Sequence, residues 1–375
     1  MTACSNPPSN PDQDPAAVAA IFVPKGRVAA VNEHGNGNVN DTYLVTVEDD
    51  RESCFILQRI NTGVFRRPEH VMRNMSVATK HMREHLARVS LPAGRRWEVP
   101  HVLLTGNGQD HWTGRDGSFW RAVSFVESSR SFDTLQDCVH AREVGFALGM
   151  FHTLISDLPV ERLTDTLEGF HITPRYLRHY EKVVAKAGSF KSPEAGYCVR
   201  FVDERRAGVH VLEEAKKSGR LRVRPIHGDP KVNNVMVDMV TGRAVSIVDL
   251  DTVKPGLIQY DIGDCMRSGC NALGEETERW EDVRFEPDLC RVIMEGYLAQ
   301  AREFLTPGDF AHMYDAIRLI TFELGLRFFT DYLEGNVYFK AKSEDHNLAR
   351  ALVQFRLTES IEAQESGIRA IFGEL

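Results

Sequence analysis

The sequence lacks any long hydrophobic run. No stretch of about 18 apolar residues occurs, so no bilayer-spanning helix is expected. It lacks Cys-x-x-Cys, and its seven cysteines (Cys4, Cys54, Cys138, Cys198, Cys265, Cys270 and Cys290) are odd in number and scattered. They read as free buried thiols in a reducing cytosol rather than as a disulfide framework. An excess of positive charge is missing too. Acidic residues outnumber basic ones 53 to 45, for a net charge of -8, which argues against nucleic acid or an anionic membrane as a partner. The N-terminus has no basic-then-apolar order of a secretory leader, so a cytoplasmic location is expected. There is no Gly-x-x-x-x-Gly-Lys-Ser/Thr, which excludes a P-loop. No internal repeat is present. What remains is ordinary globular composition, 42% hydrophobic and 26% charged in 375 residues, enough for two or three domains or two lobes around a cleft.

Residues 1–15 are rich in Pro, Asn and Ser and predict a disordered N-terminus. Short β-type runs follow at 27–32, 39–47 and 54–60, then a helix over 69–90 and strands at 98–104 and 118–126. After Glu127 helical periodicity dominates, at 135–156, 205–218, 286–304 and 309–334, around a strand-rich stretch at 223–251. The expectation is an α+β chain with a β-rich lobe over 16–126 and a mainly helical lobe over 127–375.

The chemistry sits in Arg224–Val237, RPIHGDPKVNNVMV, whose centre has the form His-x-Asp-x-x-x-x-Asn. Fifteen residues past Asn234, the apolar run Ala244–Val248 ends in Asp249. Phosphoryl transfer needs such a set, because its loose, highly charged transition state is stabilised by positioning and charge neutralisation. Asp229 fits the base that accepts a hydroxyl proton. Asn234 and Asp249 fit as hard oxygen ligands for Mg²⁺. Lys231 fits a fixed positive charge beside the moving phosphoryl. Asp249-Leu250-Asp251 also matches the Asp-x-Asp metal motif of glycosyltransferases, but that leaves His227–Asn234 unexplained.

The paired motif resembles the aminoglycoside phosphotransferase and choline kinase superfamily, relatives of protein kinases. Within it the chain is most similar to bacterial N-acetylhexosamine 1-kinases, through Asn40–Val45, Phe55–Thr62, Met72–Asn74, Ile247–Thr252 and Asp331–Gly335, with likeness over roughly residues 20–372. The resemblance implies a two-lobed protein-kinase-like fold, ATP, Mg²⁺, and phosphorylation of the anomeric hydroxyl of GlcNAc or GalNAc. The partners expected are a nucleotide and a small sugar, with no nucleic acid and no membrane, in a monomer or small homo-oligomer.

For the nucleotide, the turn Gly35-Asn36-Gly37-Asn38-Val39-Asn40 could cover phosphates, with Gly35, Gly37, Asn38 and Asn40 as candidates. Kinases usually carry a phosphate-holding lysine on the third strand. Here period two puts Ile56 and Gln58 on one face, and Gln58 stands where that lysine would be. A kinase-like binding module without catalysis is therefore the second hypothesis. Phe125 and Val126 lie in the candidate adenine hinge. On the acceptor side the resemblance assigns Arg327 and Tyr338 to the sugar, together with Asp229. Trp120 packs either a sugar face or the lobe core. Glu323, Arg327 and Asp331 share one helix face, which could equally be a solvated ion-pair ladder. Finally, His81-Met82-Arg83-Glu84-His85 matches the inverted zinc-peptidase signature. No third ligand is evident in the sequence, and the kinase reading claims the same helix, so zinc hydrolysis is set aside.

Overall fold

The computed structural model describes residues 14–23, 25–35, 39–48, 53–187 and 192–375. The chain forms two compact units, one from Met1–Lys80 and Pro100–Glu127, the other from His81–Val99 and Ser128–Leu375. Residues 81–99 group with the second unit although they precede residue 126.

In the first unit a short helix α1 (Pro15–Ile21) precedes β1 (Arg27–Glu33), β2 (Asp41–Glu48) and β3 (Cys54–Ile60). Helix α2 (Pro68–Leu86), whose residues from His81 on group with the second unit, and strands β4 (Val102–Leu103), β5 (Trp112–Thr113) and β6 (Phe119–Ser124) follow. The sheet runs β1-β2-β3-β6-β4, with β5 also on β6, antiparallel throughout. The alternation in β3 buries Phe55 and Leu57 against Val18, Ala19 and Phe22 around α1, with Val45, Val47, Trp120 and Ala122. Asp14 caps α1 by accepting the Ala16 N–H. This helix begins where the sequence predicts disorder to end; seven residues are too few to display a helical period.

The second unit contains β7 (Ser129–Arg130), α3 (Cys138–Ile155), α4 (Thr173–Ala187), α5 (Pro193–Arg205), α6 (Val211–Lys217) and β8 (Arg224–Ile226). It continues with β9 (Val235–Asp238), β10 (Ala244–Ile247), β11 (Lys254–Gly256), α7 (Ile258–Gly269), α8 (Pro287–Ala301) and α9 (Pro307–Ala311). Helices α10 (Met313–Leu333), α11 (His346–Ala363) and α12 (Glu365–Glu374) complete it. The predicted helix 309–334 breaks at His312, and 205–218 resolves into a 3₁₀ turn followed by α6. Helix α7 escapes the sequence reading; residues 258–267 are all buried although several of them are polar.

Two small antiparallel sheets, β10-β9-β7 and β11-β8, stand among these helices. Helices α3 and α8 meet backbone to backbone. A Cβ on Gly145 would lie 1.9 Å from the Ile293 carbonyl oxygen, and one on Gly296 2.1 Å from that of Arg142. Helix α10 is buried along most of its length, with Phe322, Phe328 and Phe329 fully enclosed and Phe201, Phe322 and Phe355 packed ring to ring. The chain is thus a mixed α+β protein of kinase-like type, a β-rich unit followed by a larger helical one.

Candidate active site

The loop between β8 and β9 is held from beneath by one fully buried carboxylate. Asp261, in the first turn of α7, accepts the backbone N–H groups of His227 (2.7 Å) and Gly228 (2.8 Å) and the Nε2–H of His152 (2.8 Å). Burial alone would raise its pKa, but the His152 bond and charge outweigh it and hold the carboxyl below its ordinary range. His152 Nδ1 lies 2.9 Å from the Tyr297 hydroxyl. His227 donates Nε2–H to the Val248 carbonyl at 3.0 Å, and its Nδ1 accepts the Asp229 N–H at 3.3 Å. Burial keeps this ring neutral by pushing its pKa down. Gly228 has φ 88°, and a Cβ there would lie 2.8 Å from the Thr252 carbonyl oxygen.

His171, at φ 63°, supports the loop from the other side. Its Nε2–H donates to the Gly228 carbonyl at 2.7 Å, and its Nδ1 lies 3.0 Å from Glu323 Oε1. The second Glu323 oxygen accepts the Thr173 hydroxyl at 2.7 Å. Both ring nitrogens of His171 thus lie against oxygen atoms, one of the loop and one of α10.

Asp229 and Lys231 form an ion pair at 3.2 Å. The Asp229 charge raises the Lys231 pKa above the lysine range, against burial, with Asp249 adding to the effect. Asn234 Nδ2 donates to the Asp229 carbonyl at 2.7 Å and points at Oδ2 at 3.4 Å, which leaves its amide oxygen as the atom a cation would take. Asn234 closes the loop just before β9, and Asp249 follows β10. The Val248 N–H donates to the Asn234 carbonyl at 2.8 Å, so both candidate ligands stand at the same end of one strand pair. Asp249 is exposed and left-handed, φ 64° and ψ 58°, which turns it out of the strand line. Asp251 is buried, so the two aspartates do not form an open pair. A carboxylate and an amide oxygen at an open strand end fit Mg²⁺ by donor type. Asp264, also in α7, pairs with Arg267 at 2.6 Å.

Glu323, Arg327 and Asp331 are not an ion-pair ladder. Glu323 serves His171, and Asp331 accepts the backbone N–H groups of Val337, Tyr338 and Phe339. Arg327 is half-buried and ringed by Phe170 (5.0 Å), Tyr176 (5.1 Å), Phe339 (5.3 Å) and Tyr338 (5.7 Å). Among the described residues no carboxylate pairs with it. Tyr338 is exposed.

The nucleotide candidates belong to the first unit. Gly35 is exposed with φ 74°, and its neighbours Gly37 and Asn38 lie outside the described residues. Asn40 is buried and accepts the Asn61 N–H at 2.9 Å. Ile56 and Gln58 are half-buried in β3, Val126 is buried, and Phe125 meets His34 edge-on at 6.1 Å. Trp120 is fully buried in the core of this unit, the packing alternative the sequence left open.

Arg121 escapes the sequence reading. It pairs directly with Gln58 across β3–β6, is fully buried, and donates to Gln58 Oε1 through Nε (3.0 Å) and Nη2 (2.6 Å). The signal was available: an arginine inside the apolar run Phe-Trp-Arg-Ala-Val, on the strand beside the one that lacks a lysine.

Residues 30–288 match the model of a family described as the phosphotransferase enzyme family. Among solved structures the chain is similar to an aminoglycoside phosphotransferase from Alicyclobacillus acidocaldarius, with 14% identity, TM-score 0.64, and coverage of 99% of this chain and 98% of that one. It is also similar to a microcompartment-associated aminopropanol kinase (16% identity, TM-score 0.59, coverage 91% and 93%). A choline kinase from Cryptosporidium parvum is similar at 13% identity and TM-score 0.55, with coverage of 90% and 91%. At these identities the likeness is one of fold.

Proposed function

The chain belongs to the phosphotransferase enzyme family and acts on a hydroxyl acceptor, and from that premise we propose that it transfers the γ-phosphoryl of ATP to the anomeric hydroxyl of an N-acetylhexosamine, giving the sugar 1-phosphate. The observation that carries the phosphoryl-transfer part is the strand pair β9–β10, which sets Asn234 and Asp249 side by side while Asn234 also holds Asp229. Asp229 orients the acceptor hydroxyl and takes its proton. An anomeric hydroxyl is more acidic than an ordinary alcohol, which suits a carboxylate base. Lys231, its pKa raised by Asp229, remains a positive charge beside the moving group. Asn234 and Asp249 would hold Mg²⁺, which when bound neutralises phosphate charge.

On the nucleotide side we assign the role of the missing lysine to Arg121, oriented by Gln58. Its guanidinium is buried and donates to Gln58 Oε1 through Nε and Nη2 and to Met75 Sδ through Nη1, which fixes a positive charge beside β3. Gly35, Gly37, Asn38 and Asn40 belong to the turn that would cover the phosphates, with Ile56, Phe125 and Val126 toward the base. For the acceptor, Arg327 and Tyr338 are the sugar contacts. The support is an arginine walled by rings and without a carboxylate partner, a setting that favours a neutral polar ligand with apolar faces.

The test is ³¹P NMR of the purified protein with ATP, Mg²⁺ and GlcNAc, GalNAc or other hydroxyl acceptors in turn. A sugar 1-phosphate resonance is expected with an N-acetylhexosamine. Transfer only to a different acceptor keeps the kinase and rejects the hexosamine. ATP binding without transfer to any acceptor rejects catalysis.

A further inference from the structure

The histidines of the inverted peptidase signature acquire a third partner in the fold. His81 and His85 lie at i and i+4 near the end of α2, and Asp157 lies in the turn directly after α3. All three belong to the second unit. Asp157 Oδ1 is 2.7 Å from His81 Nε2 and 3.4 Å from His85 Nδ1, and one ligand atom from each residue lies within 4.8 Å of the others. The rings are nearly perpendicular, at 82° with centroids 6.3 Å apart. Their side chains are only 17% and 27% exposed, whereas that of Asp157 is 64% exposed.

We propose that His81, His85 and Asp157 bind one divalent transition-metal ion, Zn²⁺ by the chemistry of the donors. Two imidazoles and one carboxylate match zinc, whereas Mg²⁺ and Ca²⁺ take oxygen sets. With bonds of about 2.0–2.1 Å, tetrahedral geometry places neighbouring ligand atoms about 3.3 Å apart. The His85–Asp157 separation already meets that spacing. The His81–Asp157 separation must open by about 0.6 Å, which an exposed aspartate in a turn allows. Without a metal the His85 Nδ1–H donates to the Leu154 carbonyl at 3.2 Å, a bond that the ion replaces. Water completes the fourth position. The ion fastens the last turns of α2 to the end of α3 and shares no residue with the phosphoryl-transfer set. The peptidase-like wording therefore marks a metal tie rather than a hydrolase.

The experiment uses the full chain, stripped with chelator and titrated with Zn²⁺ by calorimetry without nucleotide or Mg²⁺. One ion per chain and a raised Tm are expected, and Co²⁺ in its place should give the visible absorption of a tetrahedral site. His81→Ala and Asp157→Asn should each weaken Zn²⁺ binding more than about tenfold, since even outer-shell partners of a metal ligand are worth ~10–100-fold. Asp249→Asn should leave it unchanged. Asp157→Asn keeps the shape of an exposed side chain, and its metal-free Tm separates lost binding from lost folding. Absence of saturable binding overturns the proposal. So does binding that both ligand variants retain, which would place the ion elsewhere, for example on a cysteine.

Discussion

Asn234 directs its amide N–H at Asp229, and one side chain thereby links the proposed base to the proposed ion ligands. Asp229→Asn removes the proton acceptor while keeping shape. The expected loss is about 10²–10⁴-fold in kcat, with nucleotide affinity preserved, as steady-state rates and an ATP-analogue titration would measure. At Asp249 the left-handed backbone matters. Asn is among the few residues at ease there, so Asp249→Asn should fold normally and raise the Mg²⁺ concentration needed for half-maximal turnover. An unchanged Mg²⁺ dependence would remove it from the ligand set. His171 is a positioning residue, because it reaches the loop only through the Gly228 carbonyl. His171→Gln should lower kcat about tenfold or more with little change in KM, whereas a purely structural role would lower the active fraction and leave the turnover of folded molecules intact. Asp229, Lys231 and Asn234 could be picked out of the sequence because they stand within six residues, with Asp249 ending an apolar run fifteen residues further on. His171 could not be, since it meets Gly228 from 57 residues away along the chain, and the role of Glu323 could not be, since it lies 152 residues from the His171 it holds.

Among the elements, β8–β9 and β10 do most to build the site, and they depend on tight backbone turns. Gly228 combines a left-handed φ with the Thr252 carbonyl against the space where a Cβ would go. Gly228→Ala should cost about 1–3 kcal/mol, read as a lowered urea midpoint, and should reduce activity beyond that loss because Asp229 shifts with the loop. The β-rich unit was read correctly in its long strands, where alternation is plain. It was read less well in α1 and β5, which are too short for any period, and in the helical unit α7 went unread. Arg121 belongs to this scale as well. Its meaning depends on the β3–β6 register, which no single strand discloses.

For the molecule as a whole, buried histidines set the response to acid. Burial lowers the pKa of His227, against Asp261 and Asp229, and that of His140, against Asp137 and Glu143. The unfolded chain takes up protons at these rings near pH 6.5, while the folded chain resists. Stability from this source is therefore fully present above that pH. It falls as the pH drops below it, at a slope no steeper than about 1.4 kcal/mol per pH unit for each ring. Tm should decrease between pH 7.5 and 5.5; a flat or rising profile would contradict neutral burial of these rings. The depressed Asp261 carboxyl extends the same trend to lower pH, since its contribution is lost only as pH falls through its folded pKa.

The glycine contact between α3 and α8 has a kinetic consequence. Helices whose backbones touch can open only together, so their amide protons should exchange with solvent as one cooperative block, and that block should be among the last to exchange. α3 also carries His152, which steadies Asp261 beneath the β8–β9 loop. The block expected to exchange last is thus tied to the carboxylate that holds the β8–β9 loop.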